Sequence, residues 1–280
     1  MFSLNLRGKL VEYDRPTVMG IINATPDSFF GASRVSTIDE CKARAARMAS
    51  EGADFIDIGA FSTRPGAREV GIDEEIDRLR EAIPAIRAAA PGVPVSVDTF
   101  RAEVARIAVE ELGADIVNDV AGGNLDPAMF DTVAALGVPY ILGHMRGEVS
   151  NMMEFTQYED VTADVLSELG DRLQQLSLLG VNDVIIDPCF GFSKTLDQNY
   201  RLLSQLELLK LFHRPLLVGF SRKSMITKLL DIPTDEALNG TTVLNTLALE
   251  RGAEILRVHD VLPAVQVARI VGKMMSESNR

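Results

Sequence analysis

Eight short, mostly apolar, β-prone runs recur along this chain, each followed by a longer stretch of helical period, and that alternation limits the fold more than any other feature. The runs are Val18–Ile22, Asp54–Ile58, Pro94–Val97, Ile116–Asn118, Tyr140–Leu142, Val184–Ile186, Leu216–Val218 and Ile255–Val258. Their nearly continuous apolar character is what parallel strands covered on both faces require. Amphipathic segments follow near 38–51, 72–89, 101–112, 127–136, 159–179, 195–210, 222–230 with 235–251, and 261–276. Gly52, Gly113, Gly137, Gly180 and Gly252 stand where five of these helices should stop, the place for a left-handed residue. Eight β–α units in 280 residues predict a single-domain (β/α)8 TIM barrel spanning 1–280, since such barrels use ~250 residues as one domain. An open doubly wound sheet is the competing arrangement. Residues 4–13 read as a short extended segment or hairpin capping the bottom of the barrel.

Charge and cysteine usage narrow the partners. The formal net charge of −12 disfavours a nucleic-acid surface or an anionic membrane, although a local cluster of Lys and Arg can still hold a small anion. Cys41 and Cys189 are too few for a disulfide framework and lack zinc-binding spacing. The N-terminal residues lack a signal-peptide apolar region, and no run reaches the ~20 apolar residues of a membrane span, so a cytoplasmic location is expected.

In such barrels the active site forms from the last residues of the strands and the loops that follow. The predicted strands end on or near Asn23, Asp57, Asp98, Asn118 with Asp119, His144 with Arg146, Asp187, Ser221-Arg222-Lys223, and Arg257 with His259; the loop after the second carries Ser62-Thr63-Arg64-Pro65-Gly66. Taken singly, an Asp or Asn there caps a helix or shapes a turn. His144 could equally be a satisfied core histidine, Cys189 and the methionines packing residues, and Asp73–Asp77 a solvated first helical turn. Convergence argues against the bland reading, because barrel closure brings all eight strand ends to one mouth. The set then divides by chemistry. Asn23, Arg64, Arg257 and His259, with backbone N–H groups at helix starts, form an anion site. Asp98, Asn118, Asp187 and Lys223 offer acceptors and donors at several angles, which suits a flat, nitrogen-rich heterocycle. No Ser-His-Asp spacing, Gly-rich phosphate loop or EF-hand loop supports a hydrolase, P-loop or calcium-sensor reading.

At these residues the chain resembles the dihydropteroate synthase family. The resemblance rests on Met19-Gly-Ile-Ile-Asn23-Ala-Thr-Pro-Asp-Ser-Phe29, Ser62-Thr-Arg-Pro-Gly-Ala67, Val95-Ser-Val-Asp-Thr99, Asn118-Asp119, His144-Met-Arg-Gly147, Ile186-Asp-Pro-Cys-Phe-Gly-Phe192, Val218-Gly-Phe-Ser-Arg-Lys223 and Arg257-Val-His-Asp260, in order from the first strand to the eighth. It implies condensation of 6-hydroxymethyl-7,8-dihydropterin diphosphate with p-aminobenzoate, assisted by Mg2+ and inhibited by sulfonamides, in an SN1-like step. It implies the pterin among Asp98, Asn118, Asp187 and Lys223, with Asp98, Asp187, Lys223 and Asn23 as the catalytic set. The diphosphate is expected on Asn23, Thr63, Arg64, Arg257 and His259, and the metal on Asn23. The p-aminobenzoate is expected against Thr63, Pro65, Phe192, Ser221 and Lys223, with the first two βα loops closing over the site. The resemblance further implies a homodimer through helices on the far side of the barrel.

Three positions depart from the family's usual pattern: Gly59-Ala60 in place of Gly-Gly, the first loop's Phe29-Phe30-Gly31-Ala32-Ser33, and Phe220 before Ser221-Arg222-Lys223. They bear on loop behaviour, p-aminobenzoate affinity and sulfonamide sensitivity. Two rivals share the resemblance: a corrinoid-linked methyltransferase built on a related pterin-binding barrel, and a non-catalytic pterin-binding protein. The Ser221-Arg222-Lys223 run with Thr63-Arg64 favours the synthase over the methyltransferase, which need not bind diphosphate or p-aminobenzoate.

Overall fold

Strand order decides between the two parallel architectures. The computed structural model describes residues 2–24, 38–61 and 70–278. A hairpin of β1 (Phe2–Leu6) and β2 (Lys9–Tyr13) precedes eight parallel strands: β3 (Thr17–Asn23), β4 (Phe55–Gly59), β5 (Val95–Asp98), β6 (Ile116–Asp119), β7 (Tyr140–Gly143), β8 (Val184–Asp187), β9 (Leu217–Val218) and β10 (Ile255–Val258). From β3 to β8 each strand pairs with its sequence neighbour, while β10 lies between β9 and β3. A parallel bridge between Ile186 and Leu216 joins β8 to the residues entering β9 and closes the ring. An open doubly wound sheet would reverse its order and leave two edges; this one does neither. The barrel expectation and the N-terminal hairpin both hold.

Helices α1 (Ile38–Glu51), α2 (Ile72–Ala89), α3 (Ala102–Glu110), α4 (Met129–Leu136), α5 (Val161–Leu178), α6 (Leu196–Ser204), α7 (Ser224–Leu230), α8 (Leu238–Glu250) and α9 (Val261–Ser278) alternate with the strands. The stretch predicted as one helix over 195–210 is divided: α6 ends at Gln205, in a non-helical conformation, and a 3-10 helix follows over Leu206–Phe212. All five helix-stopping glycines adopt positive φ, between 62° and 97°. A side chain there would be strained, which is why glycine marks these boundaries so legibly.

Period two along each strand sorts the residues into two cores. Val18, Ile22, Ile56, Ile58, Val97, Val117, Leu142, Ile186 and Leu256 point outward and bury against the helices. Met19, Phe55, Ile116, Ile141, Ile185, Leu217 and Ile255 point inward and form the barrel's lower layer. Leu4 and Leu6 of the hairpin join that layer from below. Tyr13 packs on Phe55 at 5.1 Å between ring centroids and on Phe2 at 4.9 Å, so the hairpin plugs the bottom. Each such side chain withdrawn from water contributes about 1.5–3 kcal/mol.

Candidate active site

Two residues further along each strand the inward positions change character. They are Ile21, Asp57, Asn118, Gly143, Asp187, Gly219 and Arg257, with Asn23, Asp98 and His259 at the rim. The chemistry therefore sits one step above the apolar layer, at the strand ends. A cavity of about 620 Å³ opens there. Asn23, Asp98, Asn118, Asp187, Phe192, Ser221, Lys223, Arg257 and His259 all line it. Thr63, Arg64 and Pro65, and the first-loop residues Asp27, Ser28 and Phe29, lie outside the described residues.

The half expected to hold a heterocycle draws on four strands. Asp187 is held by its own loop, Oδ1 accepting the Cys189 N–H at 2.7 Å. Lys223 Nζ donates to the Phe190 carbonyl at 2.6 Å and stands 4.8 Å from the centre of the Phe192 ring. Burial lowers the Lys223 pKa, and Asp187 opposes that shift. Burial likewise raises the Asp187 pKa, with Lys223 pulling it back. Asp98 is pushed up to about 7, first by burial, which the Arg257 guanidinium counters and the negative charges of Asp57, Asp119 and Glu75 reinforce. A carboxylate so placed gains from any ligand that presents N–H groups to it.

The half expected to hold an anion is built around Arg257 and His259. Arg257 Nε donates to Asp57 Oδ2 at 2.7 Å, and an Nη donates to Asp98 Oδ2 at 2.5 Å. Arg257 is thus a bridge between two carboxylates from β4 and β5. Ser221 Oγ accepts the His259 backbone N–H at 3.1 Å and lies 3.0 Å from Nδ1 of its ring. Burial, with the nearby Arg257 and Arg44, pulls the His259 pKa down to about 3, so the imidazole is neutral and acts through hydrogen bonds. Between Ser221 and Lys223, Arg222 adopts φ +57°, in the left-handed region. That backbone costs a non-glycine residue about 1–3 kcal/mol. The Arg222 side chain answers it by pairing with both Asp260 oxygens, at 2.8 and 3.2 Å, and donating to the Thr234 and Asp235 carbonyls.

Several strand-end residues turn out to be structural. His144 is fully buried, its Nε2 3.0 Å from Glu168 and its Nδ1 3.1 Å from Lys194 Nζ. A lysine can only donate, so Nδ1 accepts and the ring is neutral. Asp119 accepts from the Ala121 and Gly123 N–H groups and the Tyr140 hydroxyl, fixing the turn after β6. The reading of Asp73–Asp77 as a solvated turn needs correction at one residue: Glu75 is 1% exposed. It accepts from Thr99 Oγ1 at 2.8 Å and Arg101 at 2.6 Å, which ties α2 to the loop after Asp98. Asp57, noted at its strand end, was assigned no role; its signal was a carboxylate inside the otherwise apolar Phe55-Ile-Asp-Ile-Gly59. Lys194, in the cavity wall, stands on no motif that marks it in the sequence.

Residues 19–259 match the pterin-binding enzyme family. The dihydropteroate synthase of Escherichia coli K12 is 40% identical over 275 residues, covering 96% of this chain and 95% of that protein. The chain belongs to the dihydropteroate synthase family of pterin-binding enzymes. Among solved structures, the Yersinia pestis dihydropteroate synthase with a sulfonamide drug superimposes with a TM-score of 0.92 at 38% identity, covering 99% of this chain and all of that one. The Xanthomonas albilineans dihydropteroate synthase in complex with 7,8-dihydropteroate gives 0.84 at 35% identity, covering 98% of each. The chain also matches a mitochondrial bifunctional folate-synthesis protein of Arabidopsis thaliana at 41% identity, spanning 97% of itself but only 52% of that relative's length.

Within this synthase family, two of the three departures find their places. Phe220 is fully buried against Phe190 at 4.5 Å between centroids, and it does not line the cavity. Its size therefore bears on the outer core rather than directly on a ligand. Ala60 is buried too, its carbonyl accepting from Arg78 at 2.8 Å, while the neighbouring Phe61 does line the cavity and meets Phe100 edge-on at 5.1 Å. The Phe29–Ser33 departure lies outside the described residues.

Proposed function

We propose that this chain condenses 6-hydroxymethyl-7,8-dihydropterin diphosphate with p-aminobenzoate to give 7,8-dihydropteroate and pyrophosphate. The observation that carries the reading is the meeting of Asp98, Asn118, Asp187 and Lys223, from four different strand ends, in one cavity beside Arg257 and His259. Relatives that hold 7,8-dihydropteroate and a sulfonamide support both substrate classes. The pterin's N–H edge goes to Asp98 and Asp187, with Asn118 and Lys223 meeting the ring's remaining acceptors and donors. Departure of pyrophosphate leaves positive charge on the pterin methylene and ring, and the Asp98 and Asp187 carboxylates stabilise it. The arylamine is already nucleophilic, so alignment of the two substrates supplies much of the rate. The p-aminobenzoate lies against Ser221, Phe192 and Lys223, with Thr63 and Pro65, where sulfonamides compete.

The leaving diphosphate is received by Arg257, His259, Asn23, Thr63 and Arg64. Mg2+ fits this donor set: it keeps several waters and takes few protein ligands when substrate phosphates supply the rest. Asn23 offers one such side-chain oxygen at the cavity, and among the described residues no cluster of three or more His, Cys, Asp or Glu competes for an ion. Bound there, Mg2+ would neutralise charge on the departing pyrophosphate. A homodimer accords with exposed Leu229, Leu230, Val243, Leu247 and Ile270 on α7, α8 and α9. A cytoplasmic site of action accords with the described helices, none of which is long and apolar enough to cross a membrane.

The test is direct. Purified protein with Mg2+, the pterin diphosphate and p-aminobenzoate should release pyrophosphate and form dihydropteroate in equal amounts. No pyrophosphate release sinks the reading, and methyl transfer from methyltetrahydrofolate to a corrinoid would replace it with the methyltransferase alternative.

A further inference from the structure

One fully buried carboxylate has no part in the chemistry above, yet it bonds a cavity-lining residue from each half of the site. Asp57 is fully buried in the middle of β4, in register with Ile21 of β3 and Ser96 of β5. A single oxygen, Oδ2, accepts from Arg257 Nε at 2.7 Å and from Asn118 Nδ2 at 3.1 Å, with an Arg257 Nη in ion-pair contact at 2.6 Å. Its other oxygen, Oδ1, is buried with no hydrogen-bond partner among the described residues. A carboxylate buried in that condition is a poor way to stabilise a barrel whose inward residues below carry no charge. Its placement makes sense through what it holds.

We propose that Asp57 is a positioning residue that keeps Arg257 between the heterocycle pocket and the anion site and orients Asn118 toward the heterocycle. The inference rests on the synthase reading of the cavity. In that reading Asp98 must give its oxygens to the pterin, but here Asp98 Oδ2 is occupied by Arg257 at 2.5 Å. A pterin N–H group taking that oxygen therefore competes with the Arg257–Asp98 contact. With Asp57 in place, Arg257 keeps a buried counter-charge on its Nε edge when Asp98 is taken, and its outer edge turns to the diphosphate. Without Asp57, Asp98 becomes the sole carboxylate bonded to Arg257 among the described residues, and the pair closes on itself. The pterin and the anion would then both compete against an ion pair. The Asn118 amide would lose the acceptor that fixes which face of it meets the ring.

The experiment is a double-mutant cycle on the full chain, with steady-state kinetics for both substrates and thermal unfolding of each variant. Asp57→Asn keeps the shape and removes the charge. It should lower kcat/KM for the pterin diphosphate at least 10-fold while changing KM for p-aminobenzoate less than 2-fold. Added to Arg257→Ala, the same substitution should cost less than a further 3-fold, since a residue that acts through Arg257 has little left to do once Arg257 is gone. Full additivity of the two losses, or a wild-type kcat/KM in Asp57→Asn, overturns the inference. If Asp57→Asn does not fold, Arg257→Lys tests the same link. It keeps the positive charge but removes the Nε donor that Asp57 holds, so a loss of at least 10-fold is expected and unchanged kinetics overturns the role. Inactive wild-type protein would instead indict the synthase reading, so the two failures are distinguishable.

Discussion

The two ends of this barrel are made of the same strands, one inward step apart, and they are built on opposite terms. At the lower end Met19, Phe55, Ile116, Ile141, Ile185, Leu217 and Ile255 meet Leu4 and Leu6, with no charge among them. At the upper end the same strands bring Asp98, Asp187 and Arg257 together at one cavity, with Lys223 close by and Asp57 buried behind Arg257. The lower layer gains from burial outright. The upper layer pays desolvation for every ionised group, and only mutual pairing or a ligand offsets it. A barrel of this kind separates the two demands by height along the strand, so stability and chemistry can be altered nearly independently.

The largest effect that could break this separation is expected at Asp98. Asp98→Asn should lower kcat by about 10²–10³, the range found when one preorganised stabilising group is removed. It should not unfold the protein. The folded-state pKa of Asp98 is raised to about 7 from an ordinary value near 4, so its ionisation costs the folded state stability as pH rises through that window. The variant escapes that cost and should match or exceed the wild-type unfolding midpoint at pH 8, with the difference gone below pH 4. A loss of stability at pH 8 equal to that of a core truncation would show that the upper layer is structural after all. The mirror experiment is Phe55→Ala, two residues before Asp57 on the same strand. Phe55 is fully buried, and its truncation should cost about 3–5 kcal/mol by urea unfolding. At a temperature where the variant remains folded, its kcat/KM should stay within 3-fold of wild type; a 100-fold loss would mean that the two layers are coupled.

How much of this could be read from the chain follows the same division. Strand and helix positions were legible because the physics that sets them is local: β-prone runs, helical period and glycines at positive φ. Even so, the division of the 195–210 helix at Gln205 escaped, since nothing in that residue forbids continuing it. The convergence of Asp98, Asn118, Asp187 and Lys223 was legible because barrel closure makes every strand end a neighbour of every other. The pairings were not. That Arg257 would bridge Asp57 and Asp98 depends on side chains 200 and 159 residues apart in sequence. Likewise Glu75 looked solvated within Asp73–Asp77 because its neighbours are, and only the approach of Thr99 and Arg101 buries it. His144 read as an even choice between site and core, and its ties to Glu168 and Lys194 settle it as core.

The smallest effect expected is also the one that sharpens the comparison, because it should belong to the upper end alone. Burial, helped by Lys194, pulls the His144 pKa down to about 4, and His259 is pulled down to about 3. Both rings are neutral in the folded protein, whereas in the unfolded chain they take up protons near pH 6.5. Stability is therefore lost as pH falls from about 6.5 toward 4, at up to about 1.4 kcal/mol per pH unit for each proton the unfolded chain binds and the folded one refuses. Asp98 works against this, since its raised pKa makes protonation between pH 7 and 4 favour the folded state. Urea midpoints measured at pH 7, 6 and 5 should accordingly fall more steeply in Asp98→Asn and less steeply in His144→Gln than in wild type. Phe55→Ala should lie below the wild-type curve by the same amount at each pH, because nothing in the lower layer titrates. A His144→Gln curve parallel to wild type would remove His144 as a source of the acid sensitivity, and a Phe55→Ala curve of altered slope would show that the lower layer feels the charges above it.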